Sequence, residues 1–375
     1  MRIPFAGSPT PTVGVELELQ IIDPETMNLA PGAPAIIERS GDPKHVKAEL
    51  IESTIEVCTD VCADIAEVRS DLTARVDRLL EVADDLGYHI ACAGTHPFSR
   101  WGQQTITPSP RYHRLVEKCQ WPARRLMIFG LHVHVGIESG EKAIALFNSL
   151  TTYLPHLLSL SASSPFFGRA DTGLASCRTK IFESLPTAGL PYRFVNYAEF
   201  QRLMITLINA KAIESIQEIW WDIRPHPNFG TVEVRVCDGL PTLDEAIAVT
   251  ALIQALLVWL GDHYDEGEYL PLHRHWIVRE NKWRAARWAA DAEVIVDEEG
   301  RLERLDESIT RLVENDLMPI AARLGSDGEL RRITDMLRVG PSYRRQRRIF
   351  AESKDHRAVM RALVREFREN APVVA

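Results

Sequence analysis

The chain has 375 residues, 45% of them hydrophobic and 25% charged, a globular composition with material for one large domain or two ordinary ones. Its 43 basic and 52 acidic residues leave a net charge of −9, which argues against a nucleic-acid surface and lends no support to an anionic-membrane partner. An ATP site stays compatible with that charge, because a divalent cation screens phosphates locally.

Residues 1–9 lack an apolar h-region, so no signal peptide is expected. Thr12–Ile21 alternates: Val13, Val15, Leu17, Leu19 and Ile21 share one face of a strand, and Gly14, Glu16, Glu18 and Gln20 share the other. Asp23–Pro34 is a turn region and Ala35–Ser40 a short helix. Lys44–Glu52 carries Glu49 and Glu52, equally readable as solvated or capping residues, into a second strand, Ser53–Thr59. There Thr54, Glu56 and Cys58 oppose Ile55 and Val57. Asp60–Gly87 has helical spacing, with Asp64 as N-cap and Gly87 as stop. Tyr88–Ala93 is a strand, Trp101–Tyr112 is irregular, and a helix runs from Tyr112 to about Lys118.

Leu131–Ile137 sets His132, His134 and Gly136 against Leu131, Val133, Val135 and Ile137. Glu141–Ser163 reads as a helix kinked at Pro155. Pro165–Val195 is dense in Gly, Pro, Ser and Thr, long for a loop inside a domain, and reads as a functional segment. Tyr197–Ser215 is helical. The turn Trp220–Gly230 feeds a strand, Thr231–Cys237, in which Thr231, Glu233, Arg235 and Cys237 oppose Val232, Val234 and Val236. Leu243–Leu260 is an apolar helix. Its apolar run is shorter than the roughly 20 residues of a membrane span, so it reads as buried. The remainder is mostly helical and includes the basic-aromatic segment Arg279–Trp288.

One such strand is an ordinary half-solvated strand with a salt-bridged ladder. Four together, paired in one sheet, make a surface of carboxylates, imidazoles and a guanidinium. Carboxylates that close repel each other without cations, and the oxygen-rich set suits Mg²⁺ or Mn²⁺ better than zinc. Arg235 is placed to meet a negative charge shared with the metals, such as a transferring phosphoryl group. A site drawn from both halves predicts one intertwined α+β domain over residues 1–375. The six cysteines form no Cys-x-x-Cys pair, so buried, reduced thiols and a cytoplasmic location are expected. His96, His226 and Cys237 read as structural.

Several motifs, taken in order, resemble one family: Gly14-Val-Glu-Leu-Glu18, Ser53-Thr-Ile-Glu-Val-Cys-Thr59, Gly94-Thr-His-Pro-Phe98, His132-Val-His-Val-Gly136, Trp221-Asp-Ile-Arg-Pro225 and Phe229-Gly-Thr-Val-Glu-Val-Arg235. The family is the YbdK-type bacterial carboxylate–amine ligases, also called glutamate–cysteine ligase type 2. The resemblance implies a glutamine-synthetase-like α+β fold, a curved and mainly antiparallel sheet with helices on its outer face. It implies ATP-dependent joining of a carboxylate to an amine, nominally glutamate and cysteine, through an acyl phosphate. By motif position Glu16, Glu18, Glu56, His134 and Glu233 are metal ligands, Arg235 and Glu233 catalytic, and Arg235 and His132 phosphate-binding. Ser176, Arg178, Arg224, Asn281 and Arg287 fall on the substrate side.

ATP and Mg²⁺ or Mn²⁺ are the implied cofactors, and the partners are small molecules, with a homo-oligomer left open. Where relatives read Tyr-Gly, this chain has Trp288-Ala289, and Ala adopts positive φ less cheaply than Gly. Alternatives are a phosphotransferase of the same fold, a His-x-His metal hydrolase and a non-enzymatic ATP–Mg²⁺ sensor. Glu233→Gln is expected to abolish turnover with the fold intact, as turnover and melting measured on that variant would check.

Overall fold

A computed structural model describes residues 3–373. Its main sheet has seven strands: β1 (Val13–Ile22), β2 (Val46–Ala48), β3 (Thr54–Cys58), β4 (His89–Ala91), β5 (Gly130–Gly136), β6 (Ile223–His226) and β7 (Thr231–Asp238). All neighbours are antiparallel, in the order β6-β7-β5-β1-β3-β2, with β4 beside the far end of β1. The four polar strands named from the sequence are therefore contiguous. β6 was expected as turn. It is an edge strand, the place in a sheet where Pro225, lacking an N–H, is tolerated.

The apolar face of the sheet carries the core. Leu17, Leu19, Val133 and Val234 are fully buried there with Val68, Leu72, Leu146, Leu157 and Leu252 from helices α1 (Ile65–Asp85), α2 (Gly140–Leu150), α3 (Leu154–Ser161) and α4 (Leu243–Asp265). Asp64 caps α1 by accepting from the Glu67 N–H, and Gly87 ends the helical region at φ +75°. α4 runs five residues beyond the expected end and is apolar on nearly every side. Its buried residues line the core. The expected kinked helix is instead two, α2 and α3, separated by the turn Thr151–Tyr153. Pro155 lies in the first turn of α3, where it deprives the helix of no hydrogen bond.

Pro165–Val195 is not an open loop. It contains the ribbon of Phe166–Phe167 with Ala170–Asp171, a short helix Cys177–Phe182, and Ala188–Gly189 pairing in parallel with Trp220–Trp221. All six cysteines are buried and unpaired, as expected.

A further helix, α5 (His275–Trp288), ends at Ala289, which is buried with φ +47° and ψ −121°. The backbone here keeps a conformation that suits Gly, although the residue is Ala. Such strain costs on the order of 1–3 kcal/mol, against roughly 0.8 kcal/mol for the methyl group that Gly would leave unburied. Ala289→Gly should therefore raise the unfolding free energy by about 1 kcal/mol in urea titration. A loss would show that packing of the Ala289 methyl against Ala162, Ala175 and Tyr343 outweighs the strain.

Candidate active site

The polar face of the sheet floors a cavity of about 750 Å³. Register decides which side chains meet. Glu16 lies opposite His132 on one side and Cys58 on the other. Glu18 faces Glu56, and His134 on β5 faces Glu233 on β7. Between Val234 and Cys237 the ladder slips by one residue, a β-bulge at Arg235 and Val236. The slip sends Cys237 to the core face opposite Leu131, not to the polar face that simple alternation predicts. Asp238, opposite Gly130, takes its place on the polar side, fully buried and accepting from Ser163 N–H, Ser164 Oγ and Ser176 Oγ.

Two acidic groups result. In the first, Glu16, His134 and Glu233 offer donor atoms that all lie within 4.8 Å of one another, and in the second Glu18, Glu49 and Glu56 do so. Glu49 was read as solvated or capping. It shares a face with Lys47 through the period of β2, and Lys47 pairs across to Glu56 at 3.6 Å. A strand of three residues leaves too short an alternation to single Glu49 out.

Burial and the repulsion of their acidic neighbours push Glu18 and Glu49 up to about 7 and Glu56 up to about 8. Burial also works against the charge of Glu16, but a hydrogen bond from His132 (3.2 Å) and the nearby imidazole of His134 (3.6 Å) outweigh it, and Glu16 stays well below the usual carboxylate range. His132 falls to about 4 through burial and the adjacent Arg235, so it meets Glu16 as a neutral imidazole.

Three arginines answer this acidity. Glu233 is wholly buried and accepts from Arg224 Nε at 2.7 Å and from Arg235 Nη1; those guanidiniums outweigh its burial and hold it far below the ordinary range. Arg224 Nη2 also lies 2.6 Å from Glu233, and its Nη1 donates to the carbonyls of Ile216, Gln217 and Ile219, at 3.0–3.3 Å. It is therefore a brace for Glu233 at the cavity wall. Arg178, from the helix Cys177–Phe182, lines the cavity with Nη1 3.4 Å from the carbonyls of Arg235 and Val236 and with Nε unpartnered.

The structure thus brings Glu16, Glu18, Glu56, His132, His134, Arg178, Arg224 and Arg235 to one cavity, with Glu233 directly beneath. It leaves three others off the wall. Ser176 is buried and holds Asp238. Asn281 brackets the backbone of Ile295 at 2.8 Å on both sides. Arg287 lies over the Trp288 ring, 5.4 Å from its centroid. His96 is structural, as expected, set against the Met27 carbonyl at 3.0 Å. Glu233→Gln would strand two buried guanidiniums, a change worth roughly 3–5 kcal/mol, so the fold-neutrality expected of that variant does not hold.

The donor set fits a hard divalent cation. It is rich in oxygen, and the buried His134 Nε2 has no hydrogen-bond partner although it lies 3.6 Å from Glu16 and 3.9 Å from Glu233.

Comparison with known proteins gives the family and the fold. Residues 12–366 match the family model described as Glutamate-cysteine ligase family 2 (GCS2). A Frankia alni protein named "Putative glutamate--cysteine ligase 2-1" is 46% identical over 382 residues, covering 100% of both chains. A Mycobacterium tuberculosis protein named "Putative glutamate--cysteine ligase 2" is 44% identical over 366 residues, 97% of each chain. Among solved structures, the glutamate–cysteine ligase of Francisella tularensis, in complex with AMP, superposes with a TM-score of 0.69 at 12% identity, over 97% of this chain and 90% of that one. A bifunctional glutathione synthetase from Pasteurella multocida gives 0.66 at 14% identity, over 96% of this chain and 51% of the other. These two establish the fold class, α+β and glutamine-synthetase-like, with an open antiparallel sheet and helices on the face away from the cavity.

The cluster of raised carboxylates has a consequence for stability. Glu18, Glu49 and Glu56 hold protons in the folded apo chain that the unfolded chain releases near pH 4.5. Their contribution is complete below that pH and is lost as pH climbs to about 8. A cation competes with those protons, so Mg²⁺ should raise the melting temperature more at pH 8 than at pH 6. Equal gains at the two pH values in a thermal-shift series would contradict this electrostatic reading.

Proposed function

Because the chain belongs to the glutamate–cysteine ligase family 2, we propose that it is an ATP-dependent ligase joining a carboxylate to an amine through an acyl phosphate. Glutamate and cysteine are the pair supplied by the family name. One observation carries the reading: a single cavity sets an oxygen-rich acidic floor against two arginines that face the same space, Arg178 and Arg235. That is the arrangement phosphoryl transfer needs, where catalysis is mostly positioning and charge stabilisation.

In this reading Glu16, Glu18, Glu49, Glu56, His134 and Glu233 hold Mg²⁺ or Mn²⁺, which when bound neutralises phosphate charge and acts as a Lewis acid. Arg235, its guanidinium fixed by Glu233, faces the equatorial oxygens of the γ-phosphoryl group. Arg178 brings a second cation with an unspent donor. The substrate carboxylate attacks the γ-phosphorus and ADP leaves. The amine then displaces inorganic phosphate from the acyl phosphate.

No side chain serves as covalent nucleophile. Burial and the neighbouring Glu56 push the Cys58 thiol far above its ordinary range, so it stays protonated. His132, neutral near pH 7, orients Glu16 and carries no charge that competes with the arginines. The reading includes one domain, small-molecule partners only and a cytoplasmic location, for which the six unpaired buried thiols are the support.

The test is phosphate release from ATP and Mg²⁺ with glutamate and a panel of amines including cysteine, each partner also omitted in turn. Release that needs both partners, with an amide seen by mass spectrometry, is the expected result. Release with the carboxylate alone would favour a phosphotransferase, and tight ATP binding with no release under any pair would favour a sensor. Glu16→Gln is the cleaner variant, since Glu16 is a quarter exposed and braces no arginine. It should lower turnover by about 100-fold or more while the melting temperature stays within a few degrees.

A further inference from the structure

Arg235 and Arg178 sit on separate segments, and neither segment is held in place by the acidic strands alone. Arg235 occupies the bulge, where its N–H donates to the Asp222 carbonyl at 2.8 Å and its own carbonyl lies 3.4 Å from Arg178 Nη1. Arg178 rides on the helix Cys177–Phe182, which Glu183 terminates. Asp222 and Glu183 converge on one side chain, Lys282 of α5. Its ammonium lies 2.5 Å from Asp222 Oδ2 and 2.5 Å from Glu183 Oε1, and its side chain is 2% exposed.

The same helix reaches the arginine segment a second time. The Ala286 carbonyl accepts from the N–H groups of Ala175 and Ser176, at 2.9 and 3.0 Å, immediately before Arg178. Gly189, whose carbonyl accepts from Asp222 N–H at 2.9 Å, packs so closely on Glu183 that a Cβ there would fall 3.0 Å from its Cγ. Asp222, Glu183 and Gly189 thus form one small unit in which Lys282 alone bridges both carboxylates, while Lys180 meets only the other oxygen of the partly exposed Glu183, at 2.8 Å.

We propose that Lys282 is the positioning residue of the arginine half of the site, setting Arg235 and Arg178 relative to the acidic floor without itself reaching the cavity. This rests on the ligase reading for its effect on rate, but not for its effect on structure. A buried ammonium between a buried carboxylate, Asp222, and a partly exposed one, Glu183, adds little net stability over an apolar substitute. Its value lies in geometry, because only one placement of Asp222 and Glu183 satisfies all three charges. Without Lys282 the two carboxylates repel each other, the Asp222 carbonyl moves, and the bulge carrying Arg235 loses its outer hydrogen bond. Displacing a phosphate-stabilising guanidinium by about 1 Å costs roughly 100-fold in rate.

The experiment compares wild type with Lys282→Met, Lys282→Arg and the charge-free triple variant Glu183→Gln, Asp222→Asn, Lys282→Met. Each is read by hydrogen exchange and by phosphate release. The expected result for Lys282→Met is faster exchange in residues 177–183 and 233–238, unchanged exchange in β1 and β3, and kcat down roughly 100-fold with KM for ATP changed less than threefold. Lys282→Arg should recover much of both. If Lys282→Met fails to fold, the triple variant, which strands no buried charge, is read by the same criteria. Unchanged exchange at 233–238 overturns the proposal. So does faster exchange there with wild-type kcat. A wild type that releases no phosphate with any pair overturns the ligase reading instead, and the exchange data still decide whether Lys282 holds the bulge.

Discussion

Everything in this molecule's polar half follows from the cost of gathering five glutamates on one sheet face. Unit charges a few ångströms apart repel by several kcal/mol at the effective dielectric of a partly buried site. The fold meets that cost unevenly. Around Glu16 and Glu233 it supplies imidazoles and guanidiniums, and both carboxylates stay ionised. Around Glu18, Glu49 and Glu56 the cations, Arg178 and Arg235 near Glu18, Arg111 near Glu49 and Lys47 near Glu56, do not offset burial and mutual repulsion, and all three carboxyls are pushed up into the neutral range. One group is thus satisfied internally and the other is not, and that imbalance is the support for the proposed cation site.

The backbone delivers this arrangement by two devices. The first is antiparallel register, which places side chains from β1, β3, β5 and β7 opposite one another without any loop contributing. The second is the bulge at Arg235. An unbroken ladder would have put Cys237 on the polar face and left Asp238 with the core. The extra residue reverses both, and Asp238 becomes the acceptor for Ser163, Ser164 and Ser176 that ties Pro165–Val195 down as packed structure.

The acidic half was legible in the sequence because period-2 alternation in β-branched strands states which face a residue takes, and register does the rest. Glu16, Glu18, Glu56, His132, His134 and Arg235 could be named on that ground. The arginine half was not legible in the same way. Arg224 looked like a substrate contact and is a brace for Glu233, a fact that only the position of three carbonyls from 216 to 219 decides. Glu49 lies one residue beyond β2, a strand too short to show a period. Asn281 and Arg287 lie on the helix that also carries Lys282, whose partners Asp222 and Glu183 lie 60 and 99 positions away. Contacts of that range leave no local pattern in a sequence.

The strain at Ala289 belongs to the same long-range design. A helix continuing past Ala289 would draw the Ala290 N–H onto the Ala286 carbonyl. Breaking the helix at Ala289 with φ +47° leaves that carbonyl free, and it accepts from Ala175 and Ser176 instead. An unfavourable φ persists only where its surroundings over-determine it. Here they do, because α5 is fixed on one side by Lys282 in its buried acidic clasp, by Asn281 bracketing Ile295, and by the Tyr343 hydroxyl donating to the Trp288 carbonyl at 3.3 Å. The helix therefore ends where the arginine-bearing segment needs an acceptor. Placing Gly there relieves strain without moving the acceptor. The constraint at that position acts on φ, and it acts on side-chain chemistry only through φ.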